Sequence, residues 1–394
     1  MTTPAAPGPE PAVLDLAADL PDLLQAVCDV ESVSGAETRL ADAVEAALGA
    51  CDHLEVLRDG DAVVARTHLG RASRVVVAGH LDTVPLGRRP DGSPNLPTWR
   101  TGAGADEVVH GRGTCDMKGG VAVALSLAAA LEAPTRDVTW VFYDHEEVDA
   151  ALNGLGRLVE RHPDWLAGDV AVLGEPTSAA VEGGCNGTLR VEVVLTGVSA
   201  HSARPWRGVN AVHAAAPLLA LLAAHDAGER EVDGLVFRQS LQVVGISGGT
   251  AGNVVPDRCV VTINHRFAPD RTLAQAEADL RALLAGYEVH RTDGAEGARP
   301  GLDRPAAADV VAATGEEPRA KLGWTDVARF SALGVPAVNL GPGDPLLAHA
   351  DAERCPVADL HRCAEVLRTW LTGEPGVGAP SSAADRAPSG SIGA

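Results

Sequence analysis

The stretch that decides the fold is RVVVAGHLDTVP, residues 74–85. Its first half is a continuous apolar run rich in valine, which is typical of a strand buried on both faces of a sheet. The run ends on His80 and Asp82, which share one face of an extended chain. Polar residues at the end of such a strand indicate either a capped turn or a ligand-binding crevice, and this pattern alone leaves both open.

Apolar strands alternate with helical patterns on both sides of this stretch. We expect further strands at 137–144, 169–175 and 335–340, and helices at 13–31, 37–49, 118–133, 153–162, 305–314, 325–333 and 356–371. Buried strands separated by helices predict an α/β domain with a mixed, mostly parallel sheet covered on both faces.

The pattern changes between residues 186 and 295. Here we expect strands at 188–197, 240–247, 258–267 and 287–292, and helices at 208–225 and 272–286. The resulting order of strand, helix, strand, strand, helix, strand is that of a ferredoxin-like α+β unit. We therefore predict one α/β domain built from residues 1–185 and 296–372, with residues 186–295 inserted as a smaller domain. Residues 373–394 are rich in Gly, Pro, Ser and Ala and are expected to form a disordered tail.

Composition excludes several classes of protein. With 32 basic against 53 acidic residues the formal net charge is -21, which argues against nucleic acid or an anionic membrane as partner. The seven cysteines form no CxxC pair, so a thiolate zinc site or a disulfide framework is not expected. The first residues lack a basic segment followed by an apolar one, so we expect no signal peptide and a cytoplasmic protein.

Further acidic and histidine side chains follow the other predicted strands. Asp116 lies in a glycine-rich turn before a helix, where an aspartate is also favourable as a helix-terminal charge. Glu146 and Glu147 end the strand at 137–144, and Glu175 ends the next one. His349 lies in a late loop, PLLAHADAE.

Five such side chains gathered at one sheet edge predict a metal site. Clustered carboxylates repel one another and raise their own pKa values unless a cation neutralises them. The proposed ligands are His80, Asp116, Glu147, Glu175 and His349. Five ligands exceed the three protein ligands usual for one catalytic zinc but suit two ions that share a bridging carboxylate. Histidine with carboxylate and no cysteine favours Zn²⁺, with Co²⁺ or Mn²⁺ as substitutes.

The two adjacent glutamates are expected to differ in role. Neighbouring residues on an extended chain point to opposite sides, so Glu146 and Glu147 are predicted not to do the same job.

Several motifs together resemble the zinc-dependent aminoacylase/carboxypeptidase family of dinuclear metallohydrolases. The quoted motifs stand in this order between about residues 80 and 352: GHLDTVP, GRGTCDMKGG, DHEE, GEPT, GVSAHSARPWRGVNA, GTAGNVVPD and HADAE. The resemblance implies a zinc-peptidase-like catalytic domain, an inserted dimerisation domain, and hydrolysis of an amide in a small N-acyl amino acid.

The resemblance also implies roles for individual residues. His80 and Glu175 would bind one zinc, Glu147 and His349 the other, and Asp116 would bridge the two. Asp82 would orient His80, and Glu146 would act as general base. Histidine 201, in the inserted domain, would reach the active site of a partner subunit in a homodimer and help to hold the oxyanion.

Substrate recognition is less constrained. The resemblance implies substrate contacts by Asn253 and Arg266, and the clamp for substrate carboxylates is open among Arg190, Arg204, Arg207 and Arg266. A relative with another acyl pocket and a non-catalytic binding protein on the same fold remain the alternatives.

Overall fold

The computed structural model describes residues 11–373. The predicted tail at 374–394 lies outside the described residues. The strands of the described range are β1 (Glu55–Asp59), β2 (Ala62–Arg66), β3 (Arg74–His80), β4 (Trp99–Thr101), β5 (Val108–His110), β6 (Asp137–Tyr143), β7 (Val170–Leu173), β8 (Glu182–Gly183), β9 (Gly187–Thr196), β10 (Ala200–His201), β11 (Glu229–Val232), β12 (Leu235–Arg238), β13 (Ser240–Gly248), β14 (Val254–Val255), β15 (Arg258–Phe267), β16 (Glu288–Ala295), β17 (Arg319–Ala320), β18 (Ala337–Asn339) and β19 (Arg354–Pro356).

The α-helices of the same range are α1 (Leu20–Asp29), α2 (Thr38–Gly49), α3 (Lys118–Ala130), α4 (Gly154–Arg161), α5 (Ala211–Ala214), α6 (Ala216–Ala224), α7 (Leu273–Leu283), α8 (Pro305–Thr314), α9 (Val327–Ala332) and α10 (Val357–Thr372). Short 3-10 helices cover Gly104–Asp106, Pro163–Trp165, Pro205–Arg207 and Pro345–Leu347. None of the helices within residues 11–373 combines the length and apolar composition that a bilayer crossing requires.

An eight-stranded sheet organises the larger part of the chain, in the order β1-β2-β6-β3-β7-β18-β8-β17. Strands β6, β3, β7 and β18 run parallel to one another at its centre. Strands β1 and β2 add an antiparallel edge, and β8 pairs antiparallel with β18. The predicted α/β class with a mixed, mostly parallel sheet is confirmed. The carboxyl ends of β3, β6 and β7 therefore meet at one edge.

Helices cover both faces of this sheet. Val75 and Val77 face a core formed with α1, α2, α3, α8 and α10, whereas Val76 and Ala78 face a second core formed with α4 and α9. This alternation explains why residues 75–78 are apolar without interruption. Each fully buried valine or leucine contributes about 1.5–3 kcal/mol relative to exposure.

The inserted segment forms a separate four-stranded antiparallel sheet in the order β13-β15-β9-β16. Its core is built with α5, α6 and α7. The two outer strands in space, β13 and β16, flank the pair β15 and β9, which is the ferredoxin-like arrangement that the element order predicts. The domain boundaries at 185/186 and 295/296 stay predictions.

Prolines account for two differences from the expected helices. The first helix begins at Leu20, not near residue 13, and Pro21 occupies its first turn. The helix expected near 208–225 is divided into α5 and α6 at Ala215, with Pro217 in the first turn of α6. Because proline has no N–H and a fixed φ, it fits the first turn of a helix and interrupts the middle of one.

Candidate metal centre

The two adjacent glutamates lie in a turn that follows β6. The strand ends at Tyr143, and His145 takes a left-handed conformation with φ of 57°. The chain is therefore not extended at this point, and the prediction that alternation sends Glu146 and Glu147 to opposite sides is wrong. One oxygen of each glutamate and one ring nitrogen of His80 lie within 4.8 Å of one another.

Asp82 fixes this turn through the backbone. The amide of Glu146 donates to Asp82 Oδ1 at 2.9 Å, and the amide of Glu147 donates to Asp82 Oδ2 at 3.0 Å. The hydroxyl of Ser34 donates to Oδ2 at 2.6 Å. Burial alone would raise the pKa of Asp82, but His80 and these donors outweigh it and lower the pKa to about 2. The carboxylate is thus ionised and aligns both glutamates.

One donor set consists of His80, Asp116 and Glu175, whose candidate ligand atoms lie within 4.8 Å of one another. The Nδ1 atom of His80 pairs with the carbonyl of Asp82 at 3.0 Å. This leaves Nε2 pointing toward Asp116, 3.5 Å from its Oδ1. Nε2 is buried and has no hydrogen-bond partner within residues 11–373. A buried ring nitrogen without a hydrogen-bond partner, beside two carboxylates, is suited to bind a cation.

The second donor set consists of Asp116, Glu147 and His349, again within 4.8 Å. The Nε2 atom of His349 lies 3.1 Å from Asp116 Oδ2 and 3.0 Å from Glu147 Oε1. The two sets therefore use different oxygens of Asp116, one toward each histidine. His349 itself has φ of 64°, which turns its ring out of the late loop and toward the sheet edge.

The centre holds more negative charge than its own side chains balance. Asp116, Glu146, Glu147 and Glu175 share it with two histidines. Burial raises the pKa of Glu146 well above its ordinary value, and burial with the neighbouring Asp116 raises the pKa of Glu175 to about 7. These are the shifts of carboxylates that lack a cation.

The donor chemistry fits divalent metal ions. The two sets supply imidazole nitrogen and carboxylate oxygen, a mixture that suits Zn²⁺, Co²⁺ or Mn²⁺ more than Ca²⁺ or Mg²⁺. The adjacent Cys115 is not available as a ligand in this arrangement: its thiol donates to the carbonyl of Asp344 at 3.1 Å, and burial raises its pKa. The residues thus fit two ions that share Asp116.

A model of peptidase family M20/M25/M40 matches residues 76–372. The chain belongs to this family. It is accordingly a metal-dependent hydrolase. The match spans every residue of the two donor sets, from His80 to His349.

Relatives resemble this M20 chain over most of its length. A protein of Mycobacterium tuberculosis named "Putative succinyl-diaminopimelate desuccinylase DapE" is 51% identical over 364 residues, covering 92% of this chain and 100% of that one. A succinyl-diaminopimelate desuccinylase of Corynebacterium glutamicum is 44% identical over 370 residues, covering 91% and 98%.

Solved structures of more distant M20 proteins share the fold. The aminopeptidase PepT of Bacillus cereus superposes with a TM-score of 0.71 at 16% identity, covering 91% of this chain and 99% of that one. A dinuclear metal-binding peptidase of the M20 family from Bacillus subtilis gives a TM-score of 0.64 at 16% identity, covering 90% and 97%. At such identities the likeness is one of fold.

Three further residues named from the sequence lie in the inserted segment of the M20 chain. The side chain of His201 is exposed, and its Nδ1 accepts a hydrogen bond from the Ala203 amide at 3.0 Å. Asn253 is exposed, and its carbonyl accepts from the Ser202 amide at 2.9 Å. Arg266 is partly buried on β15 and forms no ion pair with a carboxylate of residues 11–373. None of the three belongs to either donor set.

Sequence reasoning missed two buried residues beside the centre, Arg112 and Glu353. Their side chains form an ion pair of 2.6 Å, with 4% and 0% of the side chains exposed. Both stand inside quoted motifs, GRGTCDMKGG and HADAE. The only signal in the sequence was that each charged residue stands a few positions from a proposed ligand. That both are buried depends on their contact with one another, across 241 positions of sequence.

The two lysines of the chain also border the centre. Lys118 is fully buried, and its Nζ donates to the carbonyl of Val30 at 3.2 Å. Lys321 is buried beside Glu182 at 3.1 Å and donates to the carbonyl of Pro176, the residue after Glu175. All other basic charge of the chain, apart from histidine, is arginine.

Proposed function

We propose that the chain hydrolyses the amide bond of N-succinyl-LL-2,6-diaminopimelate to give succinate and LL-2,6-diaminopimelate, a step of diaminopimelate and lysine biosynthesis. The observation that carries the reaction type is the pair of donor sets sharing Asp116, with Glu146 beside them. The substrate is supported by the names of two relatives that align over nearly their whole length.

The cofactor we propose is two Zn²⁺ ions per subunit, with Co²⁺ or Mn²⁺ as substitutes. His80 and Glu175 would hold one ion, Glu147 and His349 the other, and Asp116 both. When bound, the ions acidify a water molecule and stabilise negative charge that develops on the acyl oxygen. The unpartnered Nε2 of His80 and the raised pKa of Glu175 support this assignment.

Glu146 is proposed as the general base and acid. Its buried carboxylate has a raised pKa, which makes it a stronger base than an exposed glutamate. It takes one proton from the attacking water, whose hydroxyl joins the succinyl carbon, and then gives the proton to the departing amine. The Asp82 carboxylate positions Glu146 by accepting hydrogen bonds from the amides of Glu146 and Glu147. The Asp82 carbonyl orients His80 through its contact with Nδ1.

We propose a homodimer formed through residues 186–295, in which His201 completes the site of the partner. Exposed apolar side chains on the edge strand β13 support this, with Val244 58% and Ile246 52% exposed. Exposed apolar side chains on an edge strand are the surface that another copy can cover. His201 would donate a hydrogen bond to the oxyanion, a contribution of about 3 kcal/mol for such donors.

Arg266 and Asn253 are proposed to bind the substrate. Burial lowers the pKa of Arg266, and the nearby Arg190 lowers it further, so a substrate carboxylate would relieve an unbalanced charge. A planar guanidinium binds a carboxylate in a bidentate manner, which an amine cannot do. The other candidates for this clamp are Arg190, Arg204 and Arg207.

The alternatives are acetylornithine deacetylase or another N-acyl-amino-acid amidohydrolase or carboxypeptidase with the same metals. Assays with N-succinyl-diaminopimelate and N-acetylornithine side by side, with and without added zinc, separate them. We expect faster zinc-dependent turnover of the succinyl compound. Faster turnover of N-acetylornithine would overturn the substrate assignment. Absence of zinc binding and of hydrolysis of either compound would favour a non-catalytic binding protein.

A further inference from the structure

The Arg112 guanidinium contacts two loops, one that follows the proposed ligand His80 and one that contains the proposed ligand His349. Its Nε donates to the carbonyl of Pro85 at 3.1 Å, in the loop that follows His80. Its Nη2 donates to the carbonyl of His349 at 3.4 Å, and Nη1 donates to Glu353 Oε2 at 2.6 Å. The five N–H donors of a guanidinium point in several directions within one plane, so a single arginine can bind separate parts of the chain.

Glu353 carries the contact on to Asp116. Its Oε1 accepts hydrogen bonds from the amides of Cys115 and Asp116, each at 3.1 Å, while Oε2 binds Arg112. The amide of Gly111 also donates to the Glu353 carbonyl at 3.1 Å. Both oxygens of the carboxylate are thus used, one on the Asp116 backbone and one on the arginine.

The pair lies just beyond a backbone ladder that joins the two segments of chain. The antiparallel ladder between β5 and β19 pairs His110 with Arg354, and it ends there. Arg112 and Glu353 extend the connection from the end of the ladder toward the metal centre. Because neither side chain is exposed, removing one partner leaves a buried charge uncompensated.

We propose that Arg112 and Glu353 are positioning residues that set the spacing of Asp116 and His349, and thereby the affinity of the metal site formed with Glu147. The inference rests on the proposed two-metal function. Arg112 contacts the backbone of His349 directly, whereas it reaches no ligand of the His80 and Glu175 set except through the shared Asp116. The pair therefore acts mainly on one of the two sites.

The test is zinc titration of metal-free protein by calorimetry, which yields two dissociation constants without relying on activity. Glu353→Gln keeps the shape but presents an amide N–H₂ to donors, and Arg112→Lys keeps the charge but loses the fork. We expect each to weaken one of the two sites by about tenfold or more, as loss of residues behind metal ligands does. The affected constant should be the one that Glu147→Gln also raises.

Asp137→Asn is the matched control. Asp137 is a buried carboxylate that likewise binds two backbone amides and faces an arginine, Arg74, but it begins β6 at the opposite end from the metal centre. Its variant is expected to lower the thermal midpoint while leaving both zinc constants unchanged.

The outcomes are distinct. Zinc dissociation constants for Glu353→Gln and Arg112→Lys that equal those of wild type, or that are raised no more than in Asp137→Asn, would overturn the positioning role. If Glu353→Gln does not fold, Arg112→Lys decides, because it retains the opposing charge. Binding of fewer than two ions by the wild-type protein would overturn the two-metal proposal itself, whatever the variants do.

Discussion

The two ends of the eight-stranded sheet treat buried carboxylates in opposite ways. At the amino end of β6, the Oδ1 atom of Asp137 accepts from the Leu69 amide at 2.8 Å and from the Thr67 hydroxyl at 2.9 Å. Its Oδ2 accepts from the Arg71 amide at 2.9 Å. This carboxylate is satisfied by the chain itself, and its pKa is held below the ordinary value.

At the carboxyl end of the same strands, acidic groups face one another. Carboxylate oxygens of Glu146 and Glu147 lie near His80, and so do those of Asp116 and Glu175. The pKa of Glu146 and of Glu175 is raised by burial. Burial is common to both ends, so the difference lies in the number of donors. One end of the sheet thus satisfies its buried carboxylate within the chain, whereas the other end gathers four acidic side chains that bound cations would neutralise.

The strongest way to break this comparison is Glu146→Gln. Glutamine has nearly the same shape but accepts no proton, so we expect turnover of the acyl substrate to fall by about 10³-fold. Metal content measured by elemental analysis should stay at the wild-type value, because Glu146 is not proposed as a ligand. Loss of metal equal to that of a ligand variant would contradict the division of roles between the two glutamates.

His201→Asn should have the next largest effect, a loss of about 10²-fold in kcat, which is typical for removal of one oxyanion donor. Because the His201 ring is exposed, we expect the substitution to leave the fold intact. A thermal midpoint equal to that of wild type checks this.

Mixed dimers test whether His201 acts across subunits. In a hybrid of His201→Asn and Glu146→Gln chains, one of the two sites would contain both native residues, so activity should return well above either parent. Tagged subunits purified in two steps would supply the hybrid. A hybrid as inactive as its parents would place His201 in the site of its own subunit.

Much of this comparison can be read from the sequence, and the reasons are local. The apolar run 74–80 predicts β3 with the same bounds, and the stretch RCVVTINHRF at 258–267 predicts β15. Ligand types at strand ends predict which residues meet, because parallel strands bring their carboxyl ends to one edge. His80, Glu147 and Glu175 fall into the donor sets for this reason, whereas loops bring in Asp116 and His349.

The remainder depends on contacts that no local pattern encodes. The turn at His145 overrides the alternation expected for a strand end, since its left-handed φ is set by the surrounding loops. The buried pair of Arg112 and Glu353 joins segments far apart in sequence, where each charge by itself is typical of an exposed surface.

Glu147→Gln sharpens the comparison on the metal side. An amide is a poorer metal ligand than a carboxylate, so we expect the affinity of one zinc site to fall by at least the roughly 10–100-fold that is typical for loss of a residue behind a metal ligand. The other site should keep its affinity, since His80 and Glu175 are unchanged. Competition with a chelator at graded concentrations measures both. Equal weakening of the two sites would argue against separate donor sets.

Asp137→Asn tests the opposite end of the sheet and should have the smallest effect, a decrease in the free energy of unfolding of about 1 kcal/mol at neutral pH. Burial alone would raise the pKa of Asp137, but hydrogen bonds from the Leu69 and Arg71 amides outweigh it and lower the pKa. A carboxyl group whose pKa is lower in the folded state stabilises the protein above its unfolded pKa, and this stability is lost as the pH falls through the folded pKa. The difference between wild type and variant in urea unfolding should therefore be constant above about pH 5 and shrink below about pH 4. Because the proposed metal centre lies at the other end of the sheet, this difference in unfolding free energy should be the same with and without zinc. A difference that varied with zinc but not with acid would show that the two ends are not independent.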